Sequence, residues 1–429
     1  MNGSSDPPLS KRVASPFRGL AAYERESNFM SEEETLNLLI ENTARRMTAL
    51  QPGALQEVCG ISIIDFERWE WPQGVGLYGL FQYHRQTGRP ENMDQLTAWY
   101  ARRRAAGLPV KNINTMAPML TLAHLCEVTR QPADLALCEE WAAWVFSELP
   151  RTNEGGFQHI TTDFPFEQQL WADTLFMTVL FLAKMGVLLQ RQDYIDESIR
   201  QFLLHIKYLH DRKTGLWFHG WNFLGRHNFA EALWARCNCW FTAGAVDFME
   251  MVELPGGVKP YLIATLGAQV DALARFQAAD GMWHTLLDDP TTYVETSATA
   301  GFAYGILKGV RLGLVDGKHA TVGRRALDGI IARIQSDGTV DEVSYGTPMG
   351  MDLDHYRKIP RCPMAYGQAL TLLALTEAAQ LAVGEGPLSI IADTNPTRWR
   401  NWHPNTPLVL ERQSACWRPE QVPPQYYPR

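Results

Sequence analysis

The sequence predicts an all-α protein and, within that class, a closed ring of six helical hairpins, an (α/α)6 barrel. Three observations carry this. Nearly every long segment of the 429 residues places apolar side chains at helical spacing, strand-like alternation is sparse, and charge-rich helices alternate along the chain with helices almost free of charge.

The elements follow in order. Residues 1–30 form an N-terminal extension that carries basic residues but no continuous apolar stretch of signal-peptide length. Ser31-x-x-Glu34 is a capping box, and it opens a helix over 33–48 with Leu36, Leu39, Ile40, Thr43, Met47 and Leu50 on one face. Further helices are expected at 72–87, 91–105, 116–129, 133–147 and 169–188. Asp193 opens the next, over 193–209, with Ile195, Ile199, Phe202, Ile206 and Leu209 as its stripe. The remainder fall at 231–251, 259–277, 296–313, 318–335 and 364–383. Taken in pairs these make six hairpins, and closing the hairpins into a ring leaves no apolar face exposed at an end. One domain, 31–385, accounts for them all, and a tail over 386–429, rich in Pro and Trp, is expected to run extended on the barrel surface.

Within a pair the two helices differ in character. The first is charged, as in Asp193-Tyr-Ile-Asp-Glu-Ser-Ile-Arg200, and the second is not, as in Leu175-Phe-Met-Thr-Val-Leu-Phe-Leu-Ala183. First helices therefore form the outer ring and second helices the inner one.

Composition narrows the function. At 46% apolar and 20% charged residues the chain buries a large core, and a formal charge of -8 leaves no basic surplus for nucleic acid or anionic membranes. No segment approaches a membrane span, and a cytoplasmic location is expected. The seven cysteines, Cys59, Cys126, Cys138, Cys237, Cys239, Cys362 and Cys416, match neither a zinc spacing nor a disulfide framework. Cys237 and Cys239 point to different faces of one helix and chelate poorly, so they are expected as small buried residues. No metal or other cofactor is implied.

Because the second helices line the ring, the loops entering them meet at one mouth. They read Trp69-Glu-Trp-Pro-Gln-Gly74, Asn112-Ile-Asn-Thr-Met-Ala-Pro118, Phe166-Glu-Gln-Gln-Leu-Trp-Ala-Asp-Thr174, Phe229-Ala-Glu-Ala-Leu-Trp-Ala-Arg236, Tyr293-Val-Glu-Thr-Ser297 and Cys362-Pro-Met-Ala-Tyr366. Connections at 148–168, 278–295 and 336–363 are long for a helical array, a mark of function. The expected site is a polar, aromatic funnel at this end.

Asp173 begins an otherwise apolar helix beside Trp171, Leu175, Phe176 and Met177. Lost hydration raises a carboxyl pKa there, as a general acid requires, and the same place suits a plain helix cap. Arg236 lies in the first turn of an inner helix, where the helix dipole disfavours a cation without an acidic partner. A substrate carboxylate and an internal pair with Glu231 each satisfy it. Trp234 stacks on a sugar or packs in the core, and His219 sits in a turn, placed for a ligand contact or for solvent.

Taken together, Leu170-Trp-Ala-Asp-Thr-Leu-Phe-Met177, Thr214-Gly-Leu-Trp-Phe-His-Gly-Trp221, Trp234-Ala-Arg236 and Glu295-Thr-Ser-Ala-Thr-Ala300 resemble the unsaturated rhamnogalacturonyl hydrolases, glycoside hydrolase family 105. Order and spacing agree over most of the chain. The resemblance implies the six-hairpin fold and an oligosaccharide substrate: a pectin-type fragment made by a lyase, bearing a 4,5-unsaturated galacturonate or glucuronate at its non-reducing end. It implies hydration of that C4=C5 bond with Asp173 as the single general acid/base, and it places His219, Trp234 and Arg236 in the substrate pocket. Trp71, Trp171 and Tyr366, aromatic residues of the converging loops, join the expected substrate-binding set with Asn114. Many relatives have an Asp where this chain reads Asn112-Ile-Asn114, and an asparagine orients substrate but carries no proton.

Three other readings stand beside this one. An inverting glycosidase needs a second carboxylate, and Glu70, Glu295, Asp352 or Asp354 is available to partner Asp173. A polysaccharide lyase on the same barrel creates the double bond instead of consuming it. A carbohydrate-binding protein uses the funnel without turnover.

Overall fold

The computed structural model describes residues 32–51 and 64–385. The N-terminal extension, Ser31 of the capping box, Cys59, Cys416 and the 386–429 tail lie outside the described residues. Six helices form an inner ring: α2 (Trp71–Thr87), α4 (Ala117–Thr129), α6 (Leu180–Leu189), α8 (Ala235–Met251), α10 (Thr296–Arg311) and α13 (Ala365–Glu385). Each packs on the next in chain order, and α13 returns to α2 to close the ring. Outside them lie α1 (Glu32–Ala49), α3 (Pro90–Ala106), α5 (Pro132–Ser147), α7 (Gln192–Leu209), α9 (Val258–Phe276) and α11 (Ala320–Ile331), while α1 packs on α13. The expected division into outer first helices and inner second helices is what the chain adopts.

Burial explains it. In α8 every residue from Ala235 to Met249 is buried, which only a helix surrounded on all sides tolerates. In α7 burial falls on one stripe that includes Ile199, Phe202, Ile206 and Leu209. Helix starts are marked by sequence: Pro72 and Pro118 fall in the first turns of α2 and α4, and the Glu295 side chain caps α10 by accepting from the Ser297 and Ala298 N–H groups. The entrances of α2 and α4 approach so closely that a Cβ on Gly74 would lie 2.5 Å from the Ala117 carbonyl carbon.

Several boundaries differ from expectation. The helix expected at 169–188 opens instead as a strand, β1 (Gln169–Trp171), paired antiparallel with β2 (Gly220–Asn222). Helical structure starts only at Asp173 and passes through a π-helical turn, Leu175–Val179, before α6. The pairing fixes Trp171 opposite Gly220, so the chain must bend before it coils. The helix expected from 231 starts at Ala235, because Phe229 and Glu231 are in left-handed backbone, at φ 57° and 52°. The loop 336–363 carries a further short helix, α12 (Leu353–Arg357), capped by Asp352, and five residues are too few to show a period.

A cluster of buried charge sits at the far end of the ring. Lys308, near the C-terminus of α10, is buried against Asp247 at 2.5 Å and Glu250 at 2.7 Å, and Arg311 pairs with Glu377. Cations there meet the negative ends of the inner helices, whose positive ends all face the opposite mouth. No helix among the described residues is long and apolar enough to cross a membrane.

Candidate active site

At the mouth, a pocket opens between the loops. Glu70 and Trp71 enter from the start of α2, and Asn114 from a 3₁₀ turn (Asn114–Met116) before α4. The segment before α6 gives His159, Phe166, Trp171 and Asp173. Trp234 and Arg236 come from the start of α8, and Gly346, Thr347 and Pro348 from the loop before α13. The Tyr293–Ser297 entrance stops short of the pocket. Its Glu295 accepts from the Ser344 N–H at 2.9 Å and so anchors the loop that lines the opposite wall.

Asp173 is the best-placed acid. Its side chain is 19% exposed, toward the pocket, and Oδ2 has no hydrogen-bond partner among the described residues, so helix capping leaves that oxygen unused. Burial pushes its carboxyl up from 3.8 to about 6, with the Arg236 charge opposing the rise. His219 does not line the open pocket. It lies behind Asp173, 1% exposed, with Nε2 at 3.7 Å from Oδ2. Burial holds its imidazole well below the usual histidine range, so the ring is neutral.

Arg236 corrects an expectation. It makes no pair with Glu231, which is exposed; its fork donates to the Ser344 carbonyl at 2.8 Å, to the Ser344 hydroxyl, and to the Tyr345 carbonyl at 2.9 Å. The guanidinium also lies 4.3 Å over Trp234 and 4.9 Å over Tyr366. Backbone carbonyls thus take the place of the acidic partner the dipole demands. Tyr366 is likewise corrected: it is fully buried, its hydroxyl donates to the Ser344 carbonyl, and its ring stacks behind Trp71 at 4.6 Å, so it supports the pocket without reaching it.

Trp71, Trp171, Trp234 and Asn114 are all brought to the pocket. Trp171 is held flat against His159, ring centroids 4.1 Å apart, and the Asn114 N–H is tied to the Asn112 side-chain oxygen at 2.9 Å. Of the candidate second carboxylates, Glu70 alone lines the pocket. It accepts from the Trp71 N–H at 3.3 Å and the Thr162 hydroxyl at 3.4 Å, and burial raises it to about 7. Glu295 is consumed as a cap, Asp352 caps α12, and Asp354 is exposed against Arg357 and Lys358.

Sequence reasoning flagged the 148–168 and 336–363 loops by length but not their residues. His159, Thr161, Thr162, Asp163 and the 346–348 segment went unnamed, and a histidine amid threonines in an overlong loop was the available signal. Phe166 and Gln168, at φ 36° and 57°, hold this loop in backbone that non-glycine residues adopt at a cost of about 1–3 kcal/mol each, a pattern common at functional sites. Among the described residues no cluster of His, Cys, Asp and Glu is arranged to hold a metal ion. The arrangement offers two dehydrated carboxyls facing an aromatic pocket, Asp173 and Glu70, and of these Asp173 has a neutral histidine behind it, a setting suited to moving a single proton.

The chain is similar to known proteins over most of its length. The family model described as Glycosyl Hydrolase Family 88 matches residues 43–382. The unsaturated rhamnogalacturonyl hydrolase YesR of Bacillus subtilis is 32% identical over 317 residues, which are 73% of this chain and 90% of YesR. A possible member of the GH105 family from Klebsiella pneumoniae is 46% identical with TM-score 0.79, covering 87% of this chain and 100% of that one. A second such possible member, from Salmonella enterica, is 45% identical with TM-score 0.79, covering 86% and 100%.

Proposed function

The chain belongs to Glycosyl Hydrolase Family 88, and from that premise we propose that it removes 4,5-unsaturated uronic acid from the non-reducing end of lyase-generated oligosaccharides, with Asp173 as general acid/base. YesR makes a rhamnogalacturonan-derived disaccharide, carrying unsaturated galacturonate, the first substrate to test, and unsaturated glucuronate the second. The same proposal assigns the substrate to pectin breakdown and the reaction to the cytoplasm.

The observation that supports it is the dehydrated carboxyl of Asp173, a residue that lines the pocket, raised to about 6. The C4=C5 bond of such a substrate is an enol ether. Asp173 gives its proton to C4, the π electrons form the new C4–H bond, and the positive charge at C5 is shared by the ring oxygen. Water adds to C5 and returns a proton to Asp173. The C5 hemiketal opens to a ketone, which leaves C1 a hemiacetal that expels the neighbouring sugar. One acid suffices, and the mechanism asks for no proton from Asn114, whose amide carries none to give as an acid. Trp71, Trp171 and Trp234 bound the sugar, and Arg236 holds the 344–345 wall and adds positive charge near the uronate carboxylate.

The test follows the ultraviolet absorbance of the conjugated double bond. Loss of absorbance with either unsaturated disaccharide is expected. No loss with either, while saturated oligosaccharides are cleaved, moves the assignment to a two-carboxylate glycosidase using Glu70. Rising absorbance from a polymer marks a lyase, and binding without turnover a lectin-like protein.

A further inference from the structure

His219 meets Asp173 with one nitrogen and a second residue with the other. Its Nε2 lies 3.7 Å from Asp173 Oδ2, and neither atom makes a full hydrogen bond among the described residues, although the Trp240 indole N–H also faces the Asp173 carboxyl. Its Nδ1 lies 2.9 Å from the hydroxyl of Tyr356, a fully buried residue of α12. That hydroxyl already accepts the Gly350 N–H at 3.0 Å. A backbone N–H has no choice of role, so the phenol has one proton left to place. Its acceptors are His219 Nδ1 and the Met349 thioether at 3.6 Å, and a ring nitrogen at the shorter distance is much the stronger acceptor. The imidazole proton then sits on Nε2, aimed at Asp173.

We propose that Tyr356 is a positioning residue that locks His219 in the Nε2–H tautomer, so that Asp173 gains a hydrogen-bond donor at the moment it becomes a carboxylate. The inference rests on the assignment of Asp173 as the acid. A separation of 3.7 Å is long for a hydrogen bond in the resting enzyme, and contacts of this kind close as charge develops. The opposite tautomer would turn an Nε2 lone pair toward the same oxygen and repel it. The other titratable groups facing the pair are Arg236, Cys237 and Cys239 from α8, His159 from the loop before β1, and His355 from α12. Only Arg236 among them carries a fixed charge, and a Tyr356 variant leaves it in place.

Two measurements on the full chain decide the matter. Nitrogen NMR of the wild-type protein labelled at histidine, with His219 assigned through His219→Gln, should show Nε2 protonated and Nδ1 bare. Tyr356→Phe should lower kcat by about tenfold to a hundredfold with KM within about threefold, a fraction of a full acid/base effect. Its pH profile should shift as well, with the limb assigned to Asp173 moving to higher pH because the carboxylate has lost its donor. In the His219→Gln background the same change should add nothing. A proton found on Nδ1 in the wild type overturns the proposal even if Tyr356→Phe fails to fold, and so does a Tyr356→Phe enzyme with an unshifted profile. Normal turnover by Asp173→Asn overturns the acid assignment instead, whatever Tyr356 does.

Discussion

Replacing Asp173 with Asn should make the protein more stable and nearly inactive, both for one reason. The folded site holds the carboxyl at about 6 where an exposed aspartate has 3.8, a difference of about two units. At about 1.4 kcal/mol per unit, ionising Asp173 in the fold costs about 3 kcal/mol more than ionising it in the unfolded chain. The sign follows from the proton count. Below about pH 4 both states are protonated and there is no cost; between about 4 and about 6 the native state holds more protons, so stability falls as pH rises; above about 6 the loss is complete. Asn cannot ionise, so Asp173→Asn should match wild type near pH 4 and exceed it by up to about 3 kcal/mol near pH 7.5, measured by denaturant unfolding at both values. Turnover of the unsaturated disaccharide should fall by about 10²–10⁴-fold, the usual worth of a general acid. Wild-type turnover by the variant, or a stability difference that does not widen with pH, would refute the reasoning.

Other substitutions probe the rest of the pocket. Glu70→Gln should keep turnover within about tenfold, whereas a two-carboxylate mechanism requires its collapse. Ionisation of Glu70 above about pH 7 places a negative charge beside an anionic substrate, so wild-type KM should climb through that range and the climb should vanish in Glu70→Gln, as steady-state kinetics will report. Arg236→Lys cannot reproduce the fork onto the Ser344 and Tyr345 carbonyls; a loss of about 1–3 kcal/mol in unfolding free energy and faster proteolysis within the 344–350 segment are expected. Gly74→Ala pushes a methyl against the Ala117 and Pro118 backbone, which should cost about 1–3 kcal/mol by denaturant unfolding and weaken substrate binding through Trp71.

The barrel was legible because its evidence is long and repeated. A stripe such as Ile195, Ile199, Phe202, Ile206 in α7 spans several turns, and the near-absence of charge from 175–183 marks an inner helix regardless of where it starts. Short-range features were not legible. β1 and β2 are three residues each, held by pairing between segments about fifty positions apart, and nothing local in Gln169–Trp171 distinguishes a strand from a helix start. Asp173, Trp71, Trp171 and Trp234 were placed at the mouth because their loops enter inner helices. Tyr366 has the same address yet points behind Trp71, a matter of side-chain direction that sequence position does not carry. The acceptors of Arg236 were invisible for a related reason: two of the three are the backbone carbonyls of Ser344 and Tyr345, which every residue has.

The closure of α13 onto both α1 and α2 bears on how the protein is made. An open solenoid can consolidate repeat by repeat as it leaves the ribosome. Here the first hairpin waits about three hundred residues for its partner, since the apolar flank of α2 stays uncovered until α13 has been synthesised. A chain that stops short of Ala365 therefore presents two unmatched edges, at α2 and α10, to its neighbours in the cell. Premature termination late in this gene should yield aggregates or swapped assemblies in place of a slightly shortened enzyme.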